Sequence, residues 1–201
     1  MPFIPSTTYI GNYFAEETQF SQLYSQFIQQ LDKENWSPLI VTNKAADFLA
    51  NKPHVKILDI GSGAGKFCLA GAYYKPSAFF YGVEQREYLV DAAKSVKEKL
   101  GILNVEFIHK NFTQINFKEY DNFYFYNSFF ENLDGVEKID DTIDYSTELY
   151  DYYNLYLRRN LDEMPVGTRL VTFKSLEQEI PKGWVLAAAE MDNQLRFWIK
   201  E

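Results

Sequence analysis

A mostly parallel α/β sheet of seven strands, covered by helices on both faces and ending in an antiparallel hairpin, is the fold class that this 201-residue sequence predicts. Three observations predict it. From residue 55 onward, short apolar runs alternate with amphipathic helical patterns. A turn carrying Gly61, Gly63 and Gly65 joins the first of those runs to the helix behind it. The last two runs flank Asp192-Asn193, a pair suited to a hairpin turn.

The elements follow in order. Residues 1–15 read as an ordered but irregular arm holding Tyr9, Tyr13 and Phe14. Phe20, Leu23, Tyr24, Phe27, Ile28 and Leu31 recur at helical spacing, which predicts one amphipathic helix over about 16–32. Ser37-Pro38 is a good helix start and Asn51-Lys52-Pro53 a good stop, so a second helix is expected over about 38–50. Residues 1–52 are thus expected to form an arm and two helices, part of a lid on the same domain, with residues 53–201 as its body. Strands are expected at 55–60, 78–84, 105–109, 122–126, 169–173, 184–190 and 194–200. Helices are expected at about 65–74 and 145–161, with another whose inner face is Leu89, Ala92, Ala93, Val96 and Leu100.

Composition bounds the function. Hydrophobic residues make up 46% and charged residues 24%, the balance of a globular chain. Aromatics reach 17%, with 15 Tyr and 17 Phe, so a pocket or part of the surface should be aromatic-lined. A net charge of −8 argues against a protein that tracks phosphates, and a nucleic-acid partner is not expected unless charge is segregated. Cys68 is the only cysteine, and His54 and His109 are the only histidines. That excludes an intrachain disulfide and makes a zinc site or a Ser-His-Asp site an unsuitable reading, so no metal is expected. The first twenty residues lack a basic stretch followed by an apolar core, and no apolar run approaches the roughly 20 residues that span a bilayer. A cytoplasmic protein without membrane insertion is expected.

Four segments carry chemistry. Asp59-Ile60-Gly61-Ser62-Gly63-Ala64-Gly65 stands between a strand and a helix, where bare backbone lets a ligand approach the helix N-terminus. Its spacing is G-x-G-x-G; it is neither the dinucleotide G-x-G-x-x-G nor a phosphate loop, since Lys66 follows without Ser or Thr. Glu84 ends the second strand, where a carboxylate can accept the ribose hydroxyls of a nucleoside lying over the glycine turn. Asn111-Phe112 follows the third strand, an amide and a ring able to read and stack on an adenine. Tyr126-Asn127-Ser128-Phe129-Phe130 ends the fourth, where open α/β sheets bind ligands. The bland alternatives are a tight turn, a solvated charge, a plain loop and simple core, in that order.

Taken together, these segments resemble the ordered motifs of the class I S-adenosylmethionine methyltransferases, with their Rossmann-like seven-stranded sheet. Within that superfamily they look most like two groups of lysine methyltransferases. One comprises the non-SET histone enzymes of the disruptor-of-telomeric-silencing family, the other the seven-stranded enzymes acting on the ATP synthase c-ring. Gly167-Thr168-Arg169-Leu170-Val171 resembles their later Gly-x-Arg-[IL]-Val strand, and Asn111 stands where they usually have an acid. The resemblance covers about residues 55–175 and implies S-adenosylmethionine as cofactor. It assigns Asp59, Gly61, Ser62, Gly63, Gly65, Glu84, Asn111, Phe112 and Asn127 to cofactor binding. Asn127 is also the expected catalytic residue, orienting an acceptor nitrogen in line with the sulfonium methyl, and Tyr126, Phe129 and Phe130 are the expected substrate contacts. The function implied is methyl transfer to nitrogen, above all a lysine amine of a protein. The rivals are a small-molecule N- or O-methyltransferase and a non-catalytic S-adenosylmethionine-binding protein. Residues 131–151 hold eight acids, Glu131, Asp134, Glu137, Asp140, Asp141, Asp144, Glu148 and Asp151, against Lys138 alone. They are expected either to form a negative rim that attracts a basic protein or other amine acceptor, or to be a solvated face.

Overall fold

A computed structural model of the chain describes residues 7–31, 36–175 and 180–201, with side chains from residue 10 onward. Seven strands form one sheet: β1 (Lys56–Ile60), β2 (Phe79–Glu84), β3 (Val105–His109), β4 (Asn122–Phe125), β5 (Arg169–Phe173), β6 (Trp184–Glu190) and β7 (Leu195–Lys200). Their order is β3-β2-β1-β4-β5-β7-β6. The first five are mutually parallel; β7 enters antiparallel between β5 and β6. Every strand expected from the sequence is present, to within a residue at each end.

β1 and β4 hold the middle of the sheet, and their side chains explain why. After Lys56 every residue of β1 is buried, as is every residue of Asn122-Phe123-Tyr124-Phe125. Strands covered on both faces by crossover helices are near-continuous apolar runs rather than alternating ones, with Asp59 and Asn122 the buried polar exceptions here. The helices that cover them are α4 (Leu39–Leu49), α5 (Lys66–Tyr74), α6 (Glu87–Leu100) and α7 (Thr147–Asp162). α6 turns Leu89, Val90, Ala93, Val96 and Leu100 inward and ends on Gly101 at φ +65°, the left-handed residue that closes a helix without a Cβ penalty. Ser146 starts α7 by accepting from the Leu149 amide at 3.1 Å. One apolar cluster joins Val41, Leu49, Phe67, Phe80 and Val96. A second, on the other face, joins Phe112, Phe117, Phe125, Leu157 and Trp198.

The N-terminal segment departs from expectation. Among the described residues three short helices, α1 (Thr7–Tyr13), α2 (Glu17–Ser21) and α3 (Gln26–Gln30), stand before α4. The irregular arm over 1–15 is therefore partly helical, and the single helix over about 16–32 is broken in two; residue 32 lies outside the described residues. The break has a local cause. Ser25 takes extended backbone angles and its hydroxyl accepts from Ile28, so it starts a new helix where the apolar periodicity alone would have continued the old one. Phe14, Phe20, Leu23, Tyr24 and Ile28 from this segment share the first apolar cluster with β1 and α5.

Between β1 and β4 the strand order reverses direction, and the carboxyl ends of the strands there leave a crevice. The turn out of β1 folds back on β2, with the amides of Gly61 and Ser62 both donating to the Val83 carbonyl at 3.0 Å. Gly65 sits at φ +83°, where a Cβ would stand 2.5 Å from the Phe107 ring and 2.8 Å from Ala93. Its need for glycine is thus a packing need, set by how closely α5 meets β3. Gly65→Ala is expected to destabilise the protein by about 1–3 kcal/mol from backbone strain alone, with overpacking against Phe107 adding to it. Urea unfolding of the variant should show the midpoint fall with the slope unchanged.

Candidate functional site

A cleft of about 330 Å³ opens at the carboxyl ends of β1, β2 and β4. Gly61, Gly63, Glu84, Asn111, Phe112, Tyr126, Asn127, Ser128, Phe129 and Phe130 all line it. A second cavity of about 20 Å³ lies beside it, bounded by Trp36, Ser37, Asp59, Ser62, Lys66 and Tyr124. Trp36, Gly61 and Tyr126 line both, so the two are neighbours across the glycine turn. Of the residues expected to bind the cofactor, only Gly65 lines neither, for the packing reason given above.

Glu84 is the most constrained of them. It is 6% exposed. Oε1 accepts from the amides of Gln85 and Arg86, each at 2.9 Å, and Oε2 from the Gly63 amide at 3.1 Å. Three of the roughly four lone-pair directions of a carboxylate are thus committed, which leaves about one for a ligand hydroxyl. Burial pushes its pKa up, while the Arg86 amide and guanidinium and the amides of Gly63 and Gln85 pull it down. The geometry makes the turn and the strand tip one unit, since the carboxylate that would meet the ligand also pins the Gly63 backbone. Gly63 has φ +53°, and a Cβ there would meet nothing within 4 Å, so the space beside that amide is open.

Asp59 is buried at the end of β1 in the smaller cavity, with the Cys68 thiol donating to Oδ2 at 3.6 Å. Burial is the main cause of its high pKa, pushed up to about 8; the thiol bond opposes the rise and the Glu84 charge adds to it. Next to it the Ser62 hydroxyl is buried with no hydrogen-bond partner among the described residues. Lys66, at the start of α5, is 4% exposed and pairs with Glu17 of α2 at 2.6 Å. Its ammonium lies 5.5 Å from the Trp36 ring centroid. Tyr24 adds a hydrogen bond from its hydroxyl to the Ala64 carbonyl, 2.9 Å. The N-terminal helices are therefore tied to the glycine turn itself.

Asn111 is held more tightly than expected. Its Oδ1 accepts from the amide and hydroxyl of Thr113, and its Nδ2 donates to Gln85 and to the Tyr153 hydroxyl at 2.8 Å. The amide is occupied in shaping the loop, so Phe112, whose ring lies 4.8 Å from that of Phe129, is the group of the pair left to face an aromatic ligand. Phe129 is itself 4% exposed and packs on Phe112, Phe125 and Tyr153, a floor of the cleft more than a surface for substrate. Phe130 is 44% exposed at the rim.

Asn127 stands just past β4 at φ +42°, an uncommon conformation for a side-chain-bearing residue. Its amide N–H donates to the Ser175 hydroxyl at 3.2 Å, and its carbonyl accepts from Phe130. The side-chain amide has no hydrogen-bond partner among the described residues. Ser128 explains the turn: its hydroxyl donates to the Ile60 carbonyl at 2.6 Å and presses on Gly61, where a Cβ would lie 2.5 Å away. Gly61 is thus required by the close approach of the loop that carries Asn127.

Several cleft residues were not singled out from the sequence: Trp36, Gln85, Arg86, Tyr153 and Lys174, and Val136 and Ile139 of the segment after β4. Glu131 and Glu137 of the acidic run line it as well. The acidic run also divides. Glu131 and Asp140 are engaged by Arg86, at 2.6 and 3.2 Å. Asp134, Glu137, Asp141, Asp144, Glu148 and Asp151 are exposed. The run expected to be either a negative rim or a solvated face thus holds two acids paired with Arg86 and six exposed ones. No group of three or more His, Cys, Asp or Glu side chains among the described residues could hold a metal ion, and no helix there is long and apolar enough to cross a membrane.

Sheet order, glycine turn and acid at the tip of β2 define a class I S-adenosylmethionine-dependent methyltransferase fold. A family model described as a methyltransferase domain matches residues 51–152, half of the chain, and the chain belongs to that family. Among solved structures, an RNA methyltransferase from Salinibacter ruber in complex with S-adenosyl-L-homocysteine is similar at TM-score 0.59. It is 17% identical, over 82% of this chain and 92% of that one. A precorrin-6y C5,15-methyltransferase from Geobacter metallireducens is similar at TM-score 0.56 and 11% identity, over 84% and 91%. A curated relative from Synechococcus sp., named tRNA (guanine-N(7)-)-methyltransferase, is 46% identical over 54 residues, 27% of this chain and 23% of the relative. The chain thus matches about a quarter of that relative's length.

The Asp59 environment yields a test of the apoprotein. A carboxyl whose folded pKa lies near 8 and whose unfolded value is 3.8 binds more protons folded than unfolded between those values. Its contribution to stability is complete below pH 4 and is lost as pH rises toward 8. Unliganded wild type should therefore lose melting temperature between pH 5 and 8, and Asp59→Asn should flatten that fall; an identical slope in both proteins would count against a neutral Asp59.

Proposed function

We propose that the protein transfers the methyl group of S-adenosylmethionine to a nitrogen atom held by Asn127. The observation that carries this reading is the placement of Asn127. A turn with φ +42° sets an amide without a hydrogen-bond partner among the described residues at the cleft, one loop away from Gly61, Gly63 and Glu84. An amide oxygen in that place accepts from an N–H and turns the nitrogen lone pair toward the donor methyl. The rest of the cleft suits the cofactor. Glu84 takes one ribose hydroxyl, the open side of Gly63 takes the sugar, and Phe112 takes a face of the adenine. The smaller cavity with Asp59, Ser62 and Lys66 takes the amino-acid end, where the ligand ammonium would keep Asp59 ionised. When bound, the cofactor supplies the electrophilic methyl; the chain supplies position, which can contribute roughly 7–11 kcal/mol in favourable cases. Residues 7–52 serve in this reading as a lid within the same domain, with Leu31 and Trp36 reaching the cleft.

The acceptor favoured here is an amine on a basic protein segment, because six acids of the run after β4 are exposed against Lys138 alone and one of them, Glu137, lines the cleft. Such an amine loses its proton more readily once desolvated among Trp36, Tyr126 and Phe130. A second reading, a ring nitrogen of tRNA, is favoured by the names of the Synechococcus relatives. Labelled cofactor offered in parallel to a protein fraction and to tRNA separates them. Label recovered as methyl-lysine supports the first reading, label in nucleoside the second, and label in neither overturns transfer to nitrogen on these polymers.

Two variants test the roles. Glu84→Gln should weaken S-adenosylhomocysteine binding tenfold or more in calorimetry, the loss of one hydrogen bond to a charged acceptor worth about 1.5–3 kcal/mol. Asn127→Ala should lower kcat by orders of magnitude and leave cofactor affinity within a few-fold, as expected of a contact used mainly in the transition state. A parallel fall in both would place Asn127 in the cofactor site or in the fold.

A further inference from the structure

Arg86 is the least expected charge in the protein. It lies two residues beyond Glu84, is 5% exposed, and meets acids from two directions. Nη1 is 3.8 Å from Glu84 Oε1. Nη2 donates to Glu131 Oε2 and to the Tyr145 hydroxyl, both at 2.6 Å. Nε stands 3.2 Å from Asp140 Oδ2 as an ion pair, without hydrogen-bond alignment. Around that fork the segment 131–145 closes on itself. Glu131 Oε2 also accepts from the Ile139 amide, the Tyr145 hydroxyl donates to the Asp140 carbonyl, and the Lys138 ammonium lies 4.1 Å from the Tyr145 ring. Tyr88 of α6 donates to Asp140 as well. The segment so held contains no helix or strand after residue 132, yet Val136, Glu137 and Ile139 line the cleft.

We propose that Arg86 is a positioning residue of the cofactor site, one guanidinium that holds the Glu84 carboxylate in its charged form and latches segment 131–145 over the bound cofactor. The inference rests on the reading of Glu84 as the ribose acceptor. A buried carboxylate with a single free lone-pair direction is useful to a hydroxyl donor only while it is ionised. Burial works against that state; the Arg86 amide, the cation beside the carboxylate and the amides of Gly63 and Gln85 oppose the effect of burial. Asp140 is lowered to about 2, against the effect of its own burial, by the bonds from Thr142 and Tyr88, and the Arg86 charge adds to them. Glu131 and Asp140 of the 131–151 run thereby serve cofactor enclosure, while the other six acids are exposed.

Removal of the charge at Arg86 gives a signature that mere loss of packing does not. The charged and titratable groups around Glu84 are Asp59 from β1 and Arg86 and Tyr88 at the start of α6; His109 and Lys110 pair with it along the backbone of β3, and Glu131 and Asp140 of the latched segment meet Arg86 on its far side. Without the guanidinium the Glu84 pKa moves further up, so ionisation of the carboxylate is displaced to higher pH.

The experiment is calorimetric titration of S-adenosylhomocysteine into the full chain between pH 6 and 9, with limited trypsin digestion at Lys138 read in parallel. Wild type should bind with nearly constant affinity from pH 7 to 9. Arg86→Met should bind at least tenfold more weakly at pH 7, recover affinity toward pH 9, and be cut faster at Lys138. Arg86→Lys, which keeps the charge but not the fork, should restore the flat pH profile while leaving the segment open to trypsin. The double variant Asp140→Asn with Tyr145→Phe frees the segment and leaves Arg86 beside Glu84. It should also give a flat profile with faster cutting, and it carries the test should Arg86→Met fail to fold. Arg86→Met affinity within twofold of wild type at pH 7, or a double variant cut no faster than wild type, overturns the proposal. If Glu84→Gln leaves affinity unchanged, the reading of Glu84 fails; if Glu84→Gln weakens binding and the Arg86 variants do not, only the latch fails.

Discussion

The buried carboxylate of Glu84 is the point on which the site depends. An anion 6% exposed is costly unless its lone pairs are met, and here the backbone meets them with the amides of Gly63, Gln85 and Arg86. Each of those bonds fixes a different piece of chain. Gly63 fixes the glycine turn after β1; Gln85 and Arg86 fix the entry to α6. The Arg86 side chain then carries the constraint outward to Glu131, Tyr145 and Asp140. Position of the turn, direction of α6 and closure of the segment after β4 are thus consequences of burying one charge at the tip of β2.

A second constraint comes from close approach. Ser128 presses on Gly61 while donating to the Ile60 carbonyl, and that contact sets the turn on which Asn127 takes its positive φ. The glycine turn and the Asn127 loop are therefore built on each other: β1 ends in the turn that needs no Cβ, and β4 ends in the loop that fills the space so freed. The similarity of the fold to enzymes named for an RNA and for a precorrin shows how little such a scaffold says about the acceptor. Acceptor choice has to be read from Asn127, Phe130 and the charges around the mouth.

The sheet was legible in the sequence because buried parallel strands are short, continuous apolar runs, and β1 and β4 could not be mistaken for anything that alternates with polar residues. The glycine turn and Glu84 were legible because residue type and position coincide at strand ends. What was not legible depends on tertiary contact. Periodicity over 16–32 gave no warning that the Ser25 hydroxyl would start a new helix. The acids at 131 and 140 look like their neighbours until the fold brings Arg86 between them. Gly65 reads as part of a ligand loop, although its demand is set by Phe107 from β3, more than forty positions away. In Asn111 the residue was found and its task was not, since its amide is spent on Thr113, Gln85 and Tyr153.

A crystal structure of the chain with S-adenosylhomocysteine tests the central claim most directly. The account predicts the ribose against Glu84 and Gly63, the adenine on Phe112, the amino-acid end beside Asp59 and Lys66, and the sulfur facing Asn127 across open space for one acceptor nitrogen. A ligand bound with its ribose away from Glu84, or with its sulfur turned from Asn127, would contradict it.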